Sequence, residues 1–259
     1  MLFRSNHVRE KVIGVAFDGT GYGTDGKIWG GEFLLCDFAG FERHAHFRYV
    51  PLAGGDAAVR EPWRMALSHL RDAFGRELPG LPFLEKVPEQ KIRAVLGMVE
   101  RSLNTIDTSS CGRLFDAVSA MCGVRLETSY EGQAAIEMEM IAEPDAEDWY
   151  PFEIASGEID TRPLIRAVAA DVLKGANVSA KFHNTIARII LEVATQMRSA
   201  EKVNKICLSG GTFQNFYLLA RSVRLLRRAG FEVLLHSAVP ANDGGLALGQ
   251  AVIASERFR

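Results

Sequence analysis

Three glycine-rich segments of the chain carry the residues best suited to chemistry. They cover residues 18–26, 208–215 and 240–245, and each follows a predicted buried strand or precedes a predicted helix. Glycines let consecutive backbone N–H groups form a concave surface that an anion can approach without meeting a Cβ. We therefore expect the first segment to cradle a phosphate; a tight hairpin built on Gly23 and Gly26 is the alternative.

Two of these segments also carry a carboxylate, Asp18 at the end of the first predicted strand and Asp243 at the start of the last predicted helix. Asn242 could cap that helix and leave Asp243 free. If the first and fourth strands are neighbours, the two carboxylates converge, which indicates a metal site; helix capping is the alternative. In the middle segment, Asn215 could cap a helix or contact a ligand at the carboxyl end of a strand.

Other motifs do not support well-known chemistries. Residues 21–26 match G-x-G-x-x-G, but a strand is predicted to follow them where a dinucleotide site needs a helix, and no P-loop motif occurs. Ser209 lacks the G-x-S-x-G context of a hydrolase nucleophile. His44 and His46 project from one face of a strand without a third ligand, so a half-exposed strand is favoured. His183 is expected to be a packed or capping residue.

The composition is that of an ordinary globular protein, with 47% hydrophobic and 24% charged residues in a chain of 259. Its 30 basic and 32 acidic residues are well mixed and give a net charge of -2, which argues against nucleic acid as a partner. No apolar run approaches the roughly 18 residues of a membrane span, so no membrane partner is expected. The four cysteines form no C-x-x-C pair, which predicts reduced thiols and a cytoplasmic protein.

The order of the predicted elements indicates one fold. Residues 12–50 predict a three-stranded meander, residues 57–200 a mostly helical insertion and crossover, and residues 203–259 a βαβα tail whose strands are parallel neighbours. This order is that of a ribonuclease-H-like lobe of the actin-like ATPase superfamily. We therefore expect a single α/β lobe over residues 1–259, with a mixed five-stranded sheet in the order 3-2-1-4-5 and the helical insertion between strands 3 and 4. The clearest predicted helices cover residues 60–74, 89–103, 113–122, 132–141 and 180–197.

Several motifs, each weak alone, form an ordered set that is specific. They are residues 18–23 with Trp-Gly-Gly-Glu at 29–32, then residues 112–118, 130–135, 208–215 and 242–245. The set resembles the C-terminal, Kae1-like domain of the HypF family of hydrogenase maturation carbamoyltransferases and runs along almost the whole chain. O-carbamoyltransferases of the antibiotic and nodulation type share the architecture, but the Trp-Gly-Gly-Glu and Phe-Gln-Asn motifs are more similar to the hydrogenase branch.

The resemblance implies a reaction in two stages. A separate YrdC-like domain makes carbamoyl adenylate from carbamoyl phosphate and ATP, and the Kae1-like domain passes the carbamoyl group to the C-terminal cysteine of a HypE-type acceptor protein. Asp18 and Asp243 are implied as catalytic metal ligands, the metal polarising the acyl group or stabilising the departing phosphate. The implied nucleotide-binding residues are Asp18, Gly19, Thr20, Gly21 and Tyr22 for the phosphate, Asp116 and Gly132 for the ribose, and Gly210, Gly211 and Asn215 for the nucleoside.

The chain departs from the family pattern before its first strand. The family's metal site also uses two histidines of an H-H-x-A-H motif, whereas only His7 precedes that strand here. A divalent metal (iron, zinc or magnesium) is therefore expected only together with the missing histidine pair. The YrdC-like domain and the N-terminal Kae1 lobe are missing too, so we expect this fragment alone to be inactive. The alternative is an actin-like nucleotide-binding or partner-docking lobe without catalysis.

Overall fold

The computed structural model describes Val8, residues 10–237 and residues 239–257. His7, the histidine predicted to precede the first strand, lies outside the described residues. The strands are β1 (Val12–Tyr22), β2 (Ile28–Cys36), β3 (Phe41–Phe47), β4 (Val50–Ala53), β5 (Thr105–Thr108), β6 (Glu153–Ala155), β7 (Glu158–Asp160), β8 (Lys205–Ser209) and β9 (Glu232–Leu234). The helices are α1 (Asp56–Arg60), α2 (Pro62–Phe74), α3 (Glu89–Arg101), α4 (Cys111–Met121), α5 (Gln133–Met140), α6 (Arg162–Leu173), α7 (Ser179–Glu201), α8 (Phe216–Arg228) and α9 (Leu246–Arg257).

The first three strands form the predicted antiparallel meander within a mixed sheet. β1 pairs antiparallel with β2, and β2 with β3. On its other edge β1 pairs with β8, parallel and with Ile13 opposite Ile206, and β9 runs parallel to β8. The series β3-β2-β1-β8-β9 reproduces the predicted order 3-2-1-4-5. Because β1 and β8 are parallel neighbours, their carboxyl ends lie at the same edge of the sheet.

The sheet is larger than the predicted five strands. In the described residues it has nine: β6 and β7 extend it beyond β3, while β5 pairs with both β2 and β4. β6 and β7 join at Ser156 and Gly157, whose φ angles of 51° and 80° suit the two-residue turn of a hairpin. The sequence predicts a mostly helical region over residues 57–200, because strands of three residues such as β6 and β7 show too little periodicity to detect.

The core on one face of the sheet is built around α7. Its apolar side chains Phe182, Ile186 and Ile190 are fully buried. Phe182 meets Phe115 of α4 edge to face, with ring centroids 4.8 Å apart. The helix continues beyond the predicted residue 197 and ends where Lys202 adopts the left-handed conformation, with φ of 58°.

All four cysteines are free thiols, and burial raises the pKa of Cys122 and of Cys207 to about 12. Such thiols are unreactive near neutral pH because the thiolate is the reactive form. None of the described helices combines the length and the apolar character needed to cross a membrane.

Candidate functional site

The three glycine-rich segments meet at one cavity of about 560 Å³, a volume typical of small-molecule sites. It opens beyond the carboxyl ends of β1 and β8, where open α/β sheets collect their ligands. The starts of α4 and α5 complete its walls. The lining residues are Asp18, Gly19, Gly112, Arg113, Asp116, Glu131, Gly132, Ala135, Ile136, Glu139, Gly211, Thr212, Gln214, Asn215, Asn242, Asp243 and Gly244.

Ser110 fixes the end of β1 against the start of α4. Its hydroxyl oxygen lies 2.6 Å from the carbonyl oxygen of Asp18 and 2.7 Å from that of Gly19, and the two carbonyls share its single O–H. The same oxygen accepts the N–H of Arg113 at 3.1 Å and so caps α4. One side chain therefore sets both the backbone that carries Asp18 and the helix that carries Arg113.

The carboxylate of Asp18 lies where the walls of the cavity come together. Burial raises its pKa, and the carboxylates of Asp243 and Glu131 raise it further, while N–H groups of Gly19 and Gly211 oppose that rise by hydrogen bonding. The N–H of Gly19 donates to Asp18 Oδ1 at 2.8 Å. Asp18 and Asp243 thus face one cavity, as strand adjacency predicts.

Asn242 accepts the N–H of Gly244 at 3.1 Å and caps the turn before α9, which leaves the carboxylate of Asp243 for another role. Asp18 and Asp243 supply two oxygen donors of the kind that a hard cation prefers. Among the described residues, no group of three or more His, Cys, Asp or Glu side chains is placed to hold a metal ion. The described residues therefore supply only part of a metal-binding donor set.

Gly210 and Gly211 have different roles in the middle segment. Gly211 lines the cavity, whereas Gly210 does not. Gly210 has φ of 105°, and a Cβ there would lie 2.0 Å from the carbonyl oxygen of Phe17. Its N–H donates to the carbonyl of Ala241 at 3.1 Å and ties the middle segment to the third one. The structure thus gives Gly210 a backbone role in holding the segments together.

Asn215 caps a helix and lies at the cavity, while the ligand contact that the sequence also allows stays a prediction. Its Oδ1 accepts the N–H of Leu218 at 2.8 Å and caps α8, and the residue also lines the cavity. Its Nδ2 lies 2.8 Å from Nε2 of His183 on α7. Since both ends of the amide are engaged, its orientation is fixed.

A buried ion pair stands beside these groups. Nη2 of Arg113 lies 3.1 Å from Oδ2 of Asp116, one turn further along α4, and both side chains are almost fully buried. Burial raises the pKa of Asp116 to about 6, although Arg113 opposes the rise. Nε and Nη1 of Arg113 are buried without a hydrogen-bond partner in the described structure. A buried guanidinium with such unused donors is suited to receive an anion.

The sequence predicted no role for Arg113, although this residue lies in the motif of residues 112–118. Arg113 precedes Asp116 by three residues on a predicted helix, and residues with this spacing are neighbours on the helix surface. This spacing was the signal in the sequence that the two side chains could pair. Gly19 leaves room for the guanidinium, because a Cβ there would lie 3.4 Å from Arg113 Nη2. Glu131 and Glu139 were also missed as lining residues.

The cavity is acidic apart from Arg113. Its titratable lining groups among the described residues are Asp18, Arg113, Asp116, Glu131, Glu139 and Asp243. A bound phosphate would therefore depend on Arg113 and on backbone N–H groups for neutralisation.

The rest of the first segment leaves the cavity. Gly21 pairs with Trp29 as β1 continues, and Tyr22 is 94% exposed. The turn closes with the N–H of Gly23 donating to the carbonyl of Lys27 at 2.9 Å. Residues 20–26 form a tight hairpin, and Thr20, Gly21 and Tyr22 lie outside the lining of the cavity; a phosphate contact by these three residues stays a prediction.

The Trp-Gly-Gly-Glu motif lies in β2 and holds this strand against β1. The buried carboxylate of Glu32 accepts the N–H groups of Gly30 and Gly31 at 2.5 and 2.7 Å and pairs with Arg43 at 2.9 Å. A Cβ on Gly30 would lie 2.6 Å from the carbonyl oxygen of Asp18. The motif therefore lies against the backbone of Asp18 and outside the lining of the cavity.

Ser209 and His236 form a hydrogen-bonded pair at the ends of β8 and β9, with Oγ 2.9 Å from Nε2. Neither residue belongs to the lining of the cavity. The N–H of the adjacent Gly210 is already bonded to Ala241, so it is not free to stabilise an oxyanion at Ser209. The Ser209–His236 pair therefore does not indicate a hydrolase site.

Comparison with known proteins gives a consistent picture. Residues 14–250 match the family described as "Carbamoyltransferase, Kae1-like Domain, second subdomain". The chain is 36% identical to carbamoyltransferase HypF of Synechocystis sp., over 94% of this chain and 34% of the relative. It is 33% identical to the probable carbamoyltransferase HypF of Methanocaldococcus jannaschii, over 97% of this chain and 33% of the relative.

Solved structures show the same relationship in three dimensions. A crystal structure of full-length HypF in a phosphate- and nucleotide-bound form superposes with a TM-score of 0.93 at 42% identity, covering 100% of this chain and 41% of that one. HypF of T. kodakarensis superposes with a TM-score of 0.86 at 28% identity, covering 99% of this chain and 35% of that one. The chain thus spans about a third of the length of the full-length relatives that it matches, 34% in the Synechocystis protein.

Proposed function

This chain belongs to the HypF family of carbamoyltransferases, as the second subdomain of their Kae1-like domain, and we propose that its cavity holds the adenylate from which a carbamoyl group is transferred. The observation that supports this most directly is the meeting of Gly19, Arg113, Asp116, Gly211 and Asn215 at one cavity. They combine close backbone approach, one buried cation, one carboxylate and one amide. That set suits a phosphate joined to a nucleoside.

Each group has a chemical role in the proposal. Arg113 donates to the phosphate, and Asp116 accepts hydrogen bonds from ribose hydroxyls. Asn215 donates to the nucleoside. Asp116 suits this role because a carboxylate with a pKa of about 6 is mostly ionised, and hence an acceptor, at neutral pH.

The transfer itself replaces one acyl bond by another. A thiolate at the C-terminal cysteine of a HypE-type acceptor attacks the carbamoyl carbon, the S–C bond forms, and the C–O bond to the phosphate breaks. AMP leaves with the electron pair of that bond, and the thiol proton has already been lost to solvent or a base. What this chain contributes is orientation of the adenylate and stabilisation of the charge on the departing phosphate.

The missing parts limit what this chain does alone. In this proposal the full-length protein supplies the YrdC-like domain, which makes the adenylate. It also supplies the N-terminal Kae1 lobe. We therefore expect the isolated chain to bind AMP or ATP and to transfer nothing to the acceptor. Turnover of synthetic carbamoyl adenylate by the isolated chain, read as thiocarbamate on the acceptor by mass spectrometry, would refute that division of labour.

Calorimetric titration with AMP tests the nucleotide site. Loss of one ligand hydrogen bond corresponds to about tenfold weaker binding or more, so Asp116→Asn and Asn215→Ala are each expected to weaken binding by at least about tenfold. Thr24→Ala, at the exposed tip of the hairpin, is the matched control and should bind normally. Unchanged affinity in both cavity variants would overturn the proposed site and favour a partner-docking lobe without catalysis.

Thr20→Ala separates the geometry from the resemblance. Thr20 belongs to the phosphate loop that the resemblance implies, yet it lies outside the lining of the cavity. The geometry predicts normal AMP binding by this variant. A loss as large as that of Asn215→Ala would show that the hairpin folds over the phosphate when ligand is bound.

A further inference from the structure

His183, the buried histidine of α7, has no role in the adenylate binding or the carbamoyl transfer proposed above. His183 has no exposed surface, and it lies next to the cavity through its contact with Asn215. Nδ1 of His183 lies 2.8 Å from the carbonyl oxygen of Ser179, one turn earlier on the helix. A carbonyl oxygen can only accept, so Nδ1 carries the proton and Nε2 presents a lone pair.

That lone pair faces the amide of Asn215. Nδ2 of Asn215 lies 2.8 Å from Nε2 of His183, so the amide donates and the imidazole accepts. Burial lowers the pKa of His183 to about 4, and the ring is therefore neutral at physiological pH. The imidazole keeps the lone pair that the amide requires.

The amide is consequently anchored at both ends. Its oxygen accepts the N–H of Leu218 and one of its two hydrogens is donated to His183. The second hydrogen remains, on a residue that lines the cavity. An Asn amide anchored in this way is a preorganised donor, since it need not rotate when a ligand binds.

Aromatic rings hold the imidazole itself in place. The ring of Phe115 on α4 lies 5.1 Å from that of His183, and the ring of Tyr217 on α8 lies 5.2 Å away on centroids. Phe182, the preceding residue of α7, is a third ring contact at 6.1 Å. Packing by three helices leaves the imidazole one orientation.

We propose that His183 is a positioning residue for ligand binding: its unprotonated Nε2 fixes the Asn215 amide so that the second N–H of that amide donates to an acceptor atom of the nucleoside. The inference rests on the proposed nucleotide function of the cavity. It assigns to His183 a role in affinity for the nucleoside and none in contact with the ligand or with the phosphate.

A double-mutant cycle tests this assignment in the intact chain, with AMP and inorganic phosphate as probes. His183→Phe keeps an aromatic ring and removes the acceptor, and it should weaken AMP binding about tenfold. In an Asn215→Ala background the same substitution should cause no further loss, because the group that it positions is gone. Phosphate binding should be unchanged by His183→Phe.

His69 supplies the matched control. It is also a buried histidine whose pKa burial lowers to about 4, but it lies on α2 and outside the lining of the cavity. His69→Phe should leave AMP affinity unchanged. His183→Gln, whose side-chain oxygen can accept from the amide, should recover most of the affinity that His183→Phe loses.

Nuclear magnetic resonance of the unmutated chain gives a second readout if His183→Phe fails to fold. The side-chain amide of Asn215 should shift on addition of AMP, whereas that of Asn184, which donates to Ala146 and Asp148, should not. Absence of AMP binding by the unmutated chain would refute the nucleotide function itself. Normal AMP binding by His183→Phe, a loss that persists in the Asn215→Ala background, or an Asn215 amide that ignores bound AMP would overturn the role of His183 alone.

Discussion

Alanine in place of Gly210 is expected to disturb the fold and the cavity together. The Cβ of that alanine would lie 2.0 Å from the carbonyl oxygen of Phe17 in β1, and the backbone would have to keep φ at 105°. Ordinary carbon–oxygen contacts are about 3.3 Å or longer, so β8 must move away from β1 by about 1 Å. This movement would separate the two strand ends on which the cavity is built.

The size of the effect follows from two costs. A non-glycine residue at such a positive φ costs about 1–2 kcal/mol, and forcing an extra carbon into a packed site costs typically about 1–3 kcal/mol. The expected loss in the free energy of unfolding is therefore roughly 2–5 kcal/mol, a large part of the total stability of a domain.

Gly230 allows the two costs to be separated. Its φ is 84°, also positive, but a Cβ there meets nothing within 4 Å. Gly230→Ala should therefore lose only about 1 kcal/mol. Urea unfolding followed by tryptophan fluorescence gives both values from the midpoints, provided that the slopes agree.

Equal unfolding midpoints for the two alanine variants would contradict the steric argument. A second comparison uses AMP binding under native conditions. Gly210→Ala should bind AMP weakly because the strand ends move apart, and Gly230→Ala should bind as the unmutated chain does. Normal AMP binding by Gly210→Ala would show that the end of β8 tolerates displacement.

Three further outcomes are expected. Arg113→Met should weaken phosphate binding and, by leaving Asp116 buried without its partner, lower the free energy of unfolding by about 3–5 kcal/mol in urea titrations; an unchanged midpoint would contradict the buried pair. Glu32→Ala should cost about 3 kcal/mol by the same measurement, because it strands Arg43 and two backbone N–H groups, whereas Glu32→Gln should cost less because its amide oxygen can still accept; equal costs would show that the hydrogen bonds to the side chain contribute nothing beyond the charge. Thermal unfolding should become easier as the pH falls from 6.5 toward 4, because the unfolded chain protonates His69 and His183 at their ordinary pKa of 6.5 while in the folded chain the pKa of each is about 4. Each full shift corresponds to at most about 3 kcal/mol, Asp116 opposes them because its folded pKa is raised to about 6, and His69→Phe should remove the contribution of His69 and make the profile shallower; a steeper profile would refute the assignment.

The convergence of Asp18 and Asp243 was predictable because it depends on connectivity. A right-handed crossover makes the late strands β8 and β9 parallel to each other. In the meander, β1 has one free edge with which these strands can pair. The capping role of Asn242 was likewise readable from its position before a helix. These conclusions need residue types and element order, and no knowledge of side-chain contacts.

Contacts between distant segments could not be predicted in the same way. That Arg113 is buried beside Asp116 depends on which face of α4 meets β1, and Gly19 and Ser110 set that face. Gly21 and Tyr22 were expected to contact a phosphate, and the structure places them in the hairpin, outside the lining of the cavity. Glycines suit both a phosphate cradle and a tight hairpin, so composition does not distinguish the two. α6 was overlooked although Leu164, Ile165 and Val168 recur at helical spacing.

The pairing of β1 with β8 has a consequence for biosynthesis. A ribosome releases β1 early, yet the strand that covers its second edge, with Ile206 opposite Ile13, emerges only after the whole helical region. Until then an apolar strand edge stays open to pairing with other nascent chains, and such long-range pairing is slow. A polypeptide stalled before residue 205 should therefore need a chaperone, and the binding cavity should be the last feature of the molecule to mature.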